Sequence, residues 1–135
     1  MVCLDTTFII DLMREKKSGI KGPASLKLME LMDRKEVPKT SIITVSELYV
    51  GPYRVEDARE LEKVERIVEE MDVLNITIGT VKRFGKIVAK LYRAGKPIGV
   101  MDAFIAAIAV ENGEELVSRN TKNFENVPGL RLETY

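Results

Sequence analysis

The chain has 135 residues, of which 45% are hydrophobic and 31% charged, as in one ordinary globular domain. It contains no histidine and one cysteine, which excludes mechanisms based on imidazole, internal disulfides and zinc sites built from Cys and His. The 21 basic and 21 acidic residues balance, so the total charge gives no sign of a nucleic-acid binder. The single cysteine, the absence of a signal-peptide pattern and the lack of any apolar run near the ~20 residues of a membrane helix predict a cytoplasmic protein without a membrane partner.

The N-terminal third predicts two strands separated by two helices. A short apolar run at residues 2–4 suits a buried strand, and the side chains at residues 5–7 favour a helix start. Glycines and a proline within residues 19–23 should end that helix, and apolar residues at helical spacing predict a second helix that ends near Glu36. The β-branched run at residues 40–44 predicts the second strand.

The next predicted helix carries a sequence motif for its own start. Thr44 to Glu47 has the S/T-x-x-E pattern of a capping box, in which side chains satisfy the free N–H groups of the first turn. The helix should therefore begin at Thr44, and Gly51 and Pro52 should end it. A long charged helix follows, with an apolar stripe between residues 61 and 71.

The C-terminal half completes the predicted sheet. Its apolar runs predict three further strands, at residues 73–76, 115–118 and 130–134. Thr77 or Thr80 can cap a helix, and a later segment at residues 101–110 is wholly apolar apart from Asp102, so its helix should be buried inside the fold. Because strands alternate with helices, we predict one α/β domain over residues 1–135 with a mainly parallel sheet of four to five strands.

Three carboxylates occupy positions where an acid is costly to bury. Asp5 ends the first strand, Glu47 opens the helix after the second, and Asp102 opens the apolar helix. Ligands of open parallel sheets bind at the carboxyl ends of the strands, so Asp5 and Glu47 should share that edge with the loop at residues 118–123. Clustered acids imply a cation or a raised pKa, and oxygen ligands favour Mg²⁺ or Mn²⁺, which can activate water beside a phosphodiester.

Each acid also has a purely structural interpretation. Asp5 can be the N-cap of the first helix, and Glu47 is fully explained as the last residue of the capping box. Asp102 can be a first-turn acid, although its apolar helix offers no polar face to solvate it. A phosphatase nucleophile at Asp5 is a weaker alternative, because Thr7 stands where such sites place a second aspartate.

The charges are unevenly distributed along the chain. Residues 56–72 carry eight acidic and three basic residues, a net charge of −5, whereas residues 73–101 carry six basic and no acidic residues. Four of the basic residues form one stripe at helical spacing: Lys82, Lys86, Lys90 and Arg93. Such a stripe is usually a solvated face, but beside an acidic metal site it becomes a candidate track for phosphates.

Four sequence blocks stand in order along nearly the whole chain: CLDTTFIID at residues 3–11, ITVSEL at 43–48, IGVMDAFIAA at 98–107 and LVSRNTKNF at 116–124. Together they resemble the PIN-domain family, and among its members the VapC toxins of prokaryotic toxin–antitoxin pairs. The resemblance implies a three-layer α/β fold and an endoribonuclease that depends on Mg²⁺ or Mn²⁺. It also implies a homodimer and a cognate antitoxin that inserts a segment into the acidic groove.

The resemblance further implies a role for each matching residue. Asp5, Asp102 and Glu47 would bind the metal and, with Asn120, form the catalytic set, in which Glu47 deprotonates the attacking water. Thr6, Ser118 and Asn123 would support the site. Independently of the resemblance, we predict RNA contacts at Arg119 and along the basic stripe: Lys82, Lys86, Lys90 and Arg93.

This chain departs from the family pattern at two of these positions. Asn120 stands where many members have Asp, and Asn123 stands where Asp is common. An amide brings no charge, which puts strong binding of a second metal ion in doubt. A catalytically inactive PIN-like module that binds RNA or another protein remains the alternative.

Overall fold

Five short strands form one parallel sheet in the computed structural model, which describes residues 1–135. The strands are β1 Val2–Leu4, β2 Pro38–Ser41, β3 Asp72–Leu74, β4 Glu115–Val117 and β5 Leu132–Glu133, in the order β3-β2-β1-β4-β5. The central strand β1 pairs in parallel with β2 and with β4. The predicted α/β fold with a mainly parallel sheet is confirmed.

Helices cover both faces of this sheet. They are α1 Thr6–Ser18, α2 Pro23–Asp33, α3 Ile42–Val55, α4 Ala58–Glu69, α5 Ile78–Arg93, α6 Val100–Glu111 and the short α7 Thr121–Phe124. Side chains alternate between faces along a strand. Accordingly Val2 and Leu4 pack with α1 to α4, whereas Cys3 packs with α5, α6 and α7. All three side chains of β1 are buried, which is why its sequence is continuously apolar.

The start and end of α3 differ from the prediction. Ser41, the last residue of β2, is the N-cap, and its hydroxyl accepts a hydrogen bond from the backbone N–H of Thr44 at 3.0 Å. The helix therefore begins one turn earlier than the Thr44–Glu47 motif predicted. It also continues through Gly51 and Pro52 to Val55, with Pro52 buried inside the helix although proline lacks a backbone N–H.

The C-terminal half follows the predicted pattern with smaller adjustments. Thr77 caps α5, and a reciprocal capping box with Thr80 is formed. In α6 every residue from 105 to 109 is buried, as predicted, but Val100 and Met101 at its start are exposed. The loop after β4 contains α7. No helix has the length and apolar character needed to cross a membrane.

Candidate active site

Asp5 is a buried carboxylate at the junction of β1 and α1. It caps α1 by accepting a hydrogen bond from the N–H of Phe8 at 2.9 Å, and the Thr7 hydroxyl donates to the same carboxylate at 2.8 Å. Ser118, which follows β4, donates to the other carboxylate oxygen at 2.5 Å. Burial raises the pKa of Asp5 above its ordinary value, and the charge of Asp102 acts in the same direction, against these hydrogen bonds. Asp5 is thus both a helix cap and part of an acidic site.

Glu47 lies on α3 and reaches back towards α1. The Thr6 hydroxyl donates to Glu47 Oε1 at 2.7 Å and lies 3.2 Å from the hydroxyl of Thr44. Since Ser41 caps α3, the structural interpretation of Glu47 as a capping-box residue is wrong. Thr6 adjoins Asp5 in the sequence, so its hydrogen bond to Glu47 brings that acid to the same sheet edge as Asp5.

Asp102 stands in the first turn of α6 and is half-buried. Its Oδ2 accepts a hydrogen bond from the side-chain amide of Asn123, on α7, at 2.9 Å. Its charge contributes to the raised pKa of Asp5, which lies near enough to be affected by it. The structure therefore brings Asn123 to the site as a direct partner of Asp102.

The segment after β4 completes the site with neutral groups. Ser118 is fully buried, and its hydroxyl accepts from the N–H of Asn120 at 2.9 Å while donating to Asp5. Asn120 precedes α7 without capping it through its side chain. A small pocket is lined by Asn120, Thr7 and Arg119. Thr7 and Thr44 also belong to the site, although no motif predicted a role for them there; their positions within CLDTTFIID and ITVSEL were the available signal.

The site offers oxygen donors of the kind that magnesium and manganese bind, namely carboxylates, hydroxyls and side-chain amides. No three carboxylates meet closely enough to hold an ion between them. Mg²⁺ is usually bound through one or two carboxylates and keeps several waters, which Asp5 and Asp102 can provide. A cation there would also offset the burial of Asp5. The assignment of Glu47 as a metal ligand stays a prediction.

The basic residues predicted to contact RNA fall into two groups. The α5 stripe is exposed and makes no ion pair: Lys82, Lys86, Lys90 and Arg93. Arg119 instead pairs with Asp11 at 3.0 Å, and the Tyr135 hydroxyl donates to the same carboxylate at 2.7 Å. The charge of Arg119 is therefore partly neutralised by the protein itself.

Comparison with known proteins shows the family of this chain. Residues 2–130 match the model of the PIN domain family. The chain is 31% identical to the tRNA(fMet)-specific endonuclease VapC of Shigella flexneri, with 98% of this chain and 96% of that protein covered. It therefore belongs to the PIN-domain family, and the resemblance to the VapC toxins within that family is confirmed.

Solved structures agree with this assignment. The DNA-bound VapBC of Salmonella typhimurium contains a chain that is 29% identical and superposes with a TM-score of 0.83, covering 99% of this chain and 98% of that one. VapBC2 of Rickettsia felis, bound to a promoter DNA fragment, superposes with a TM-score of 0.87 over 100% of this chain and 99% of that one. At 21% identity, the second match supports the fold.

Proposed function

We propose that this chain is an endoribonuclease, the toxin of a VapBC-type toxin–antitoxin pair, and that it depends on Mg²⁺ or Mn²⁺. The observation that carries the proposal is the buried Asp5, fixed by Thr7 and Ser118 and influenced by Asp102, at the carboxyl edge of a PIN-domain sheet. A full-length relative is named as an endonuclease and others as ribonucleases, so the alternative of an inactive binding module is not favoured.

Asp5 and Asp102 would hold the metal, with Asn123 orienting the Asp102 carboxylate. When bound, such an ion lowers the pKa of a water and neutralises charge on the scissile phosphate. We propose one ion, because Asn120 and Asn123 add no charge. Ser118 and Thr7 keep the Asp5 side chain in one orientation and so reduce reorganisation during the reaction.

Glu47 is the proposed general base. Thr6 binds its Oε1, whereas no protein group donates to Oε2, which is therefore available to accept a proton from the attacking water. Asn120 can position a water in the same region through its side-chain amide. With no histidine in the chain, proton transfer falls on such a carboxylate.

RNA is the proposed substrate, and initiator tRNA is the first RNA to test, because it is the substrate named for the Shigella relative. The unpaired cations of α5 would contact backbone phosphates. A cytoplasmic location belongs to the same proposal: Cys3 is free and buried, as in a reducing compartment.

Two protein partners belong to the proposal. A cognate antitoxin is supported by the structural neighbours, which are VapBC complexes. A homodimer is supported by apolar side chains left exposed on α5 and at the start of α6: Ile78, Val81, Tyr92, Val100 and Met101. Sedimentation velocity of the purified chain should give twice the monomer mass, and a monomer at micromolar concentration would contradict the dimer.

The function is tested by expressing the chain alone and with its antitoxin, following growth and mapping RNA ends. The purified chain should cleave initiator tRNA with Mg²⁺ or Mn²⁺, lose cleavage in EDTA, and be inhibited by the antitoxin. Asp5→Asn and Asp102→Asn should each lower the cleavage rate on the order of 10³-fold, and Glu47→Gln about 10²-fold, with unchanged circular dichroism.

Asp33→Asn provides the matched control, because Asp33 is an exposed acid of α2 that makes no side-chain contact with the site. It should cleave at the wild-type rate. Wild-type cleavage by Asp5→Asn would contradict the assignment of this site.

A further inference from the structure

A polar pocket of about 310 Å³ opens next to the acidic site. It lies between the end of α5, the connection to α6 and the short α7. Its polar side chains are two lysines, Lys96 and Lys122, and two asparagines, Asn123 and Asn126, and no carboxylate lines it. The volume is at the lower end of the range of ligand pockets.

This pocket is joined to the proposed catalytic residues by a direct hydrogen bond. Asn123 lines the pocket and also donates to Asp102 at 2.9 Å. Gly99, another lining residue, is the N-cap of α6 and stands three positions before Asp102. A ligand in the pocket would therefore lie beside whatever occupies the acidic site.

The lysines of the pocket are not used for internal ion pairs. Lys27, Lys39 and Lys63 each pair with a carboxylate elsewhere in the fold. Lys96 contacts only the neutral side chain of Asn126, at 3.4 Å, and Lys122 makes no ion pair. Two unpaired cations with amide donors and no acid match the chemistry of a phosphate group.

We propose that Lys96 and Lys122 bind the RNA phosphate adjacent to the scissile one and so position the strand over Asp5 and Asp102. This subsite rests on the proposed ribonuclease function. It is separate from the α5 stripe and from Arg119, because its lysines line the pocket that contains Asn123, the partner of Asp102. The two lysines act as positioning residues and take no part in proton transfer.

The first experiment measures binding of a fluorescein-labelled single-stranded RNA in EDTA, so that metal-dependent cleavage does not interfere. Lys96→Gln/Lys122→Gln should weaken binding roughly tenfold at low salt and reduce the slope of log affinity against log salt by about 0.7 for one lost phosphate contact. Lys21→Gln is the matched control, because Lys21 is exposed and unpaired in the loop between α1 and α2. A purely structural role of the lysines would leave the salt slope unchanged.

The second experiment locates the phosphate. RNAs spanning the mapped cleavage site are synthesised with one neutral methylphosphonate at a time. The modification next to the scissile phosphate should weaken wild-type binding, whereas the double variant should be insensitive to it, as in a double-mutant cycle. If the losses of affinity caused by the lysine substitutions and by the methylphosphonate simply add at every position, the proposed subsite is wrong.

These experiments separate the subsite from the function on which it rests. A wild-type chain that cleaves RNA, with a double variant of unchanged affinity and salt slope, would overturn the subsite alone. A chain that never cleaves RNA but loses binding and salt slope in the double variant would overturn the ribonuclease function and support the phosphate contact.

Discussion

At the scale of single residues, Asp5 combines two roles that the sequence presents as alternatives. The same carboxylate satisfies the free N–H of Phe8 at the start of α1 and carries a buried negative charge beside Asp102. Hydrogen bonds from Thr7 and Ser118 favour its ionised form, but burial outweighs them and raises its pKa. The Asp5 carboxylate is thus held in place at a cost to stability.

That cost predicts a stabilising substitution. In EDTA at pH 7, Asp5→Asn should raise the free energy of unfolding by about 1 kcal/mol, because the buried charge is removed while an amide can still accept from Phe8 N–H. The folded-state pKa of Asp5 lies above its unfolded value, so ionised Asp5 destabilises the protein above the folded pKa.

The increase in the free energy of unfolding caused by Asp5→Asn should therefore shrink as the pH falls towards the ordinary pKa of an aspartate. There the folded and the unfolded wild-type protein both carry the proton. Urea denaturation at several pH values measures this difference in the free energy of unfolding, and Asp33→Asn is the exposed control. A variant less stable than wild type at pH 7 would contradict this account.

At the scale of elements, the residue at which α3 begins determines which hydrogen bond the Glu47 side chain makes. The S/T-x-x-E pattern of Thr44 and Glu47 predicts a cap at Thr44, whereas the structure has the cap at Ser41. Ser41 is the last residue of β2 and pairs with Leu74 of β3, so the sheet ends there and the helix begins at once. Glu47 therefore does not cap the helix, and its carboxylate accepts a hydrogen bond from the Thr6 hydroxyl.

This choice of cap has a measurable consequence for stability. Ser41→Ala should lower the free energy of unfolding by about 1 kcal/mol or slightly more, because Thr44 N–H loses its buried acceptor. Glu47→Gln should change it by less than about 0.5 kcal/mol. Ser46→Ala, an exposed hydroxyl on the same helix, is the control in thermal unfolding. A larger loss in Glu47→Gln than in Ser41→Ala would restore the predicted capping box.

At the scale of the whole molecule, an ion pair connects segments far apart in sequence. Lys27 of α2, whose side chain is only 9% exposed, contacts Glu133 of β5 at 2.5 Å, 106 residues away. Arg34 also pairs with Glu133, at 2.9 Å. The edge strand β5 is thus stabilised in two ways. It pairs with β4 in the sheet, and its Glu133 forms ion pairs with Lys27 and Arg34.

Removing Glu133 should therefore destabilise the fold. Glu133→Gln should lower the free energy of unfolding by about 2 kcal/mol at pH 7, less than for a fully buried pair because Glu30 remains near Lys27. Burial raises the pKa of Glu133, but its contacts with Lys27 and Arg34 outweigh burial and lower it.

The stabilising contribution of Glu133 is therefore present above its pKa in the unfolded chain, and it is lost as the pH falls through its pKa in the folded protein. Wild type and Glu133→Gln should converge in acid during urea denaturation at low salt. Equal stabilities at pH 7 would show that the pair contributes nothing, and Glu125→Gln is an exposed control.

The sequence by itself determined the layers, the parallel sheet and the sheet edge at which the acids lie. Apolar periodicity reports which faces are buried, and parallel strands bring their carboxyl ends together, so Asp5 and Glu47 could be assigned to one edge. Asp102 was also predicted from the sequence, as an acid at the start of an otherwise apolar helix, and the family resemblance added supporting roles for Thr6, Ser118 and Asn123. The zero count of histidine already restricted proton transfer to oxygen groups.

Only the tertiary structure decided which partner each polar group takes. Thr6 binds Glu47, Asn123 binds Asp102, and Arg119 turns to Asp11. These partners lie up to about a hundred residues apart in sequence, and a hydrogen bond depends on distances and angles that no local pattern contains. Residue types therefore predicted the chemistry of the site, whereas the packing of α3, α6 and α7 around β1 decided its geometry.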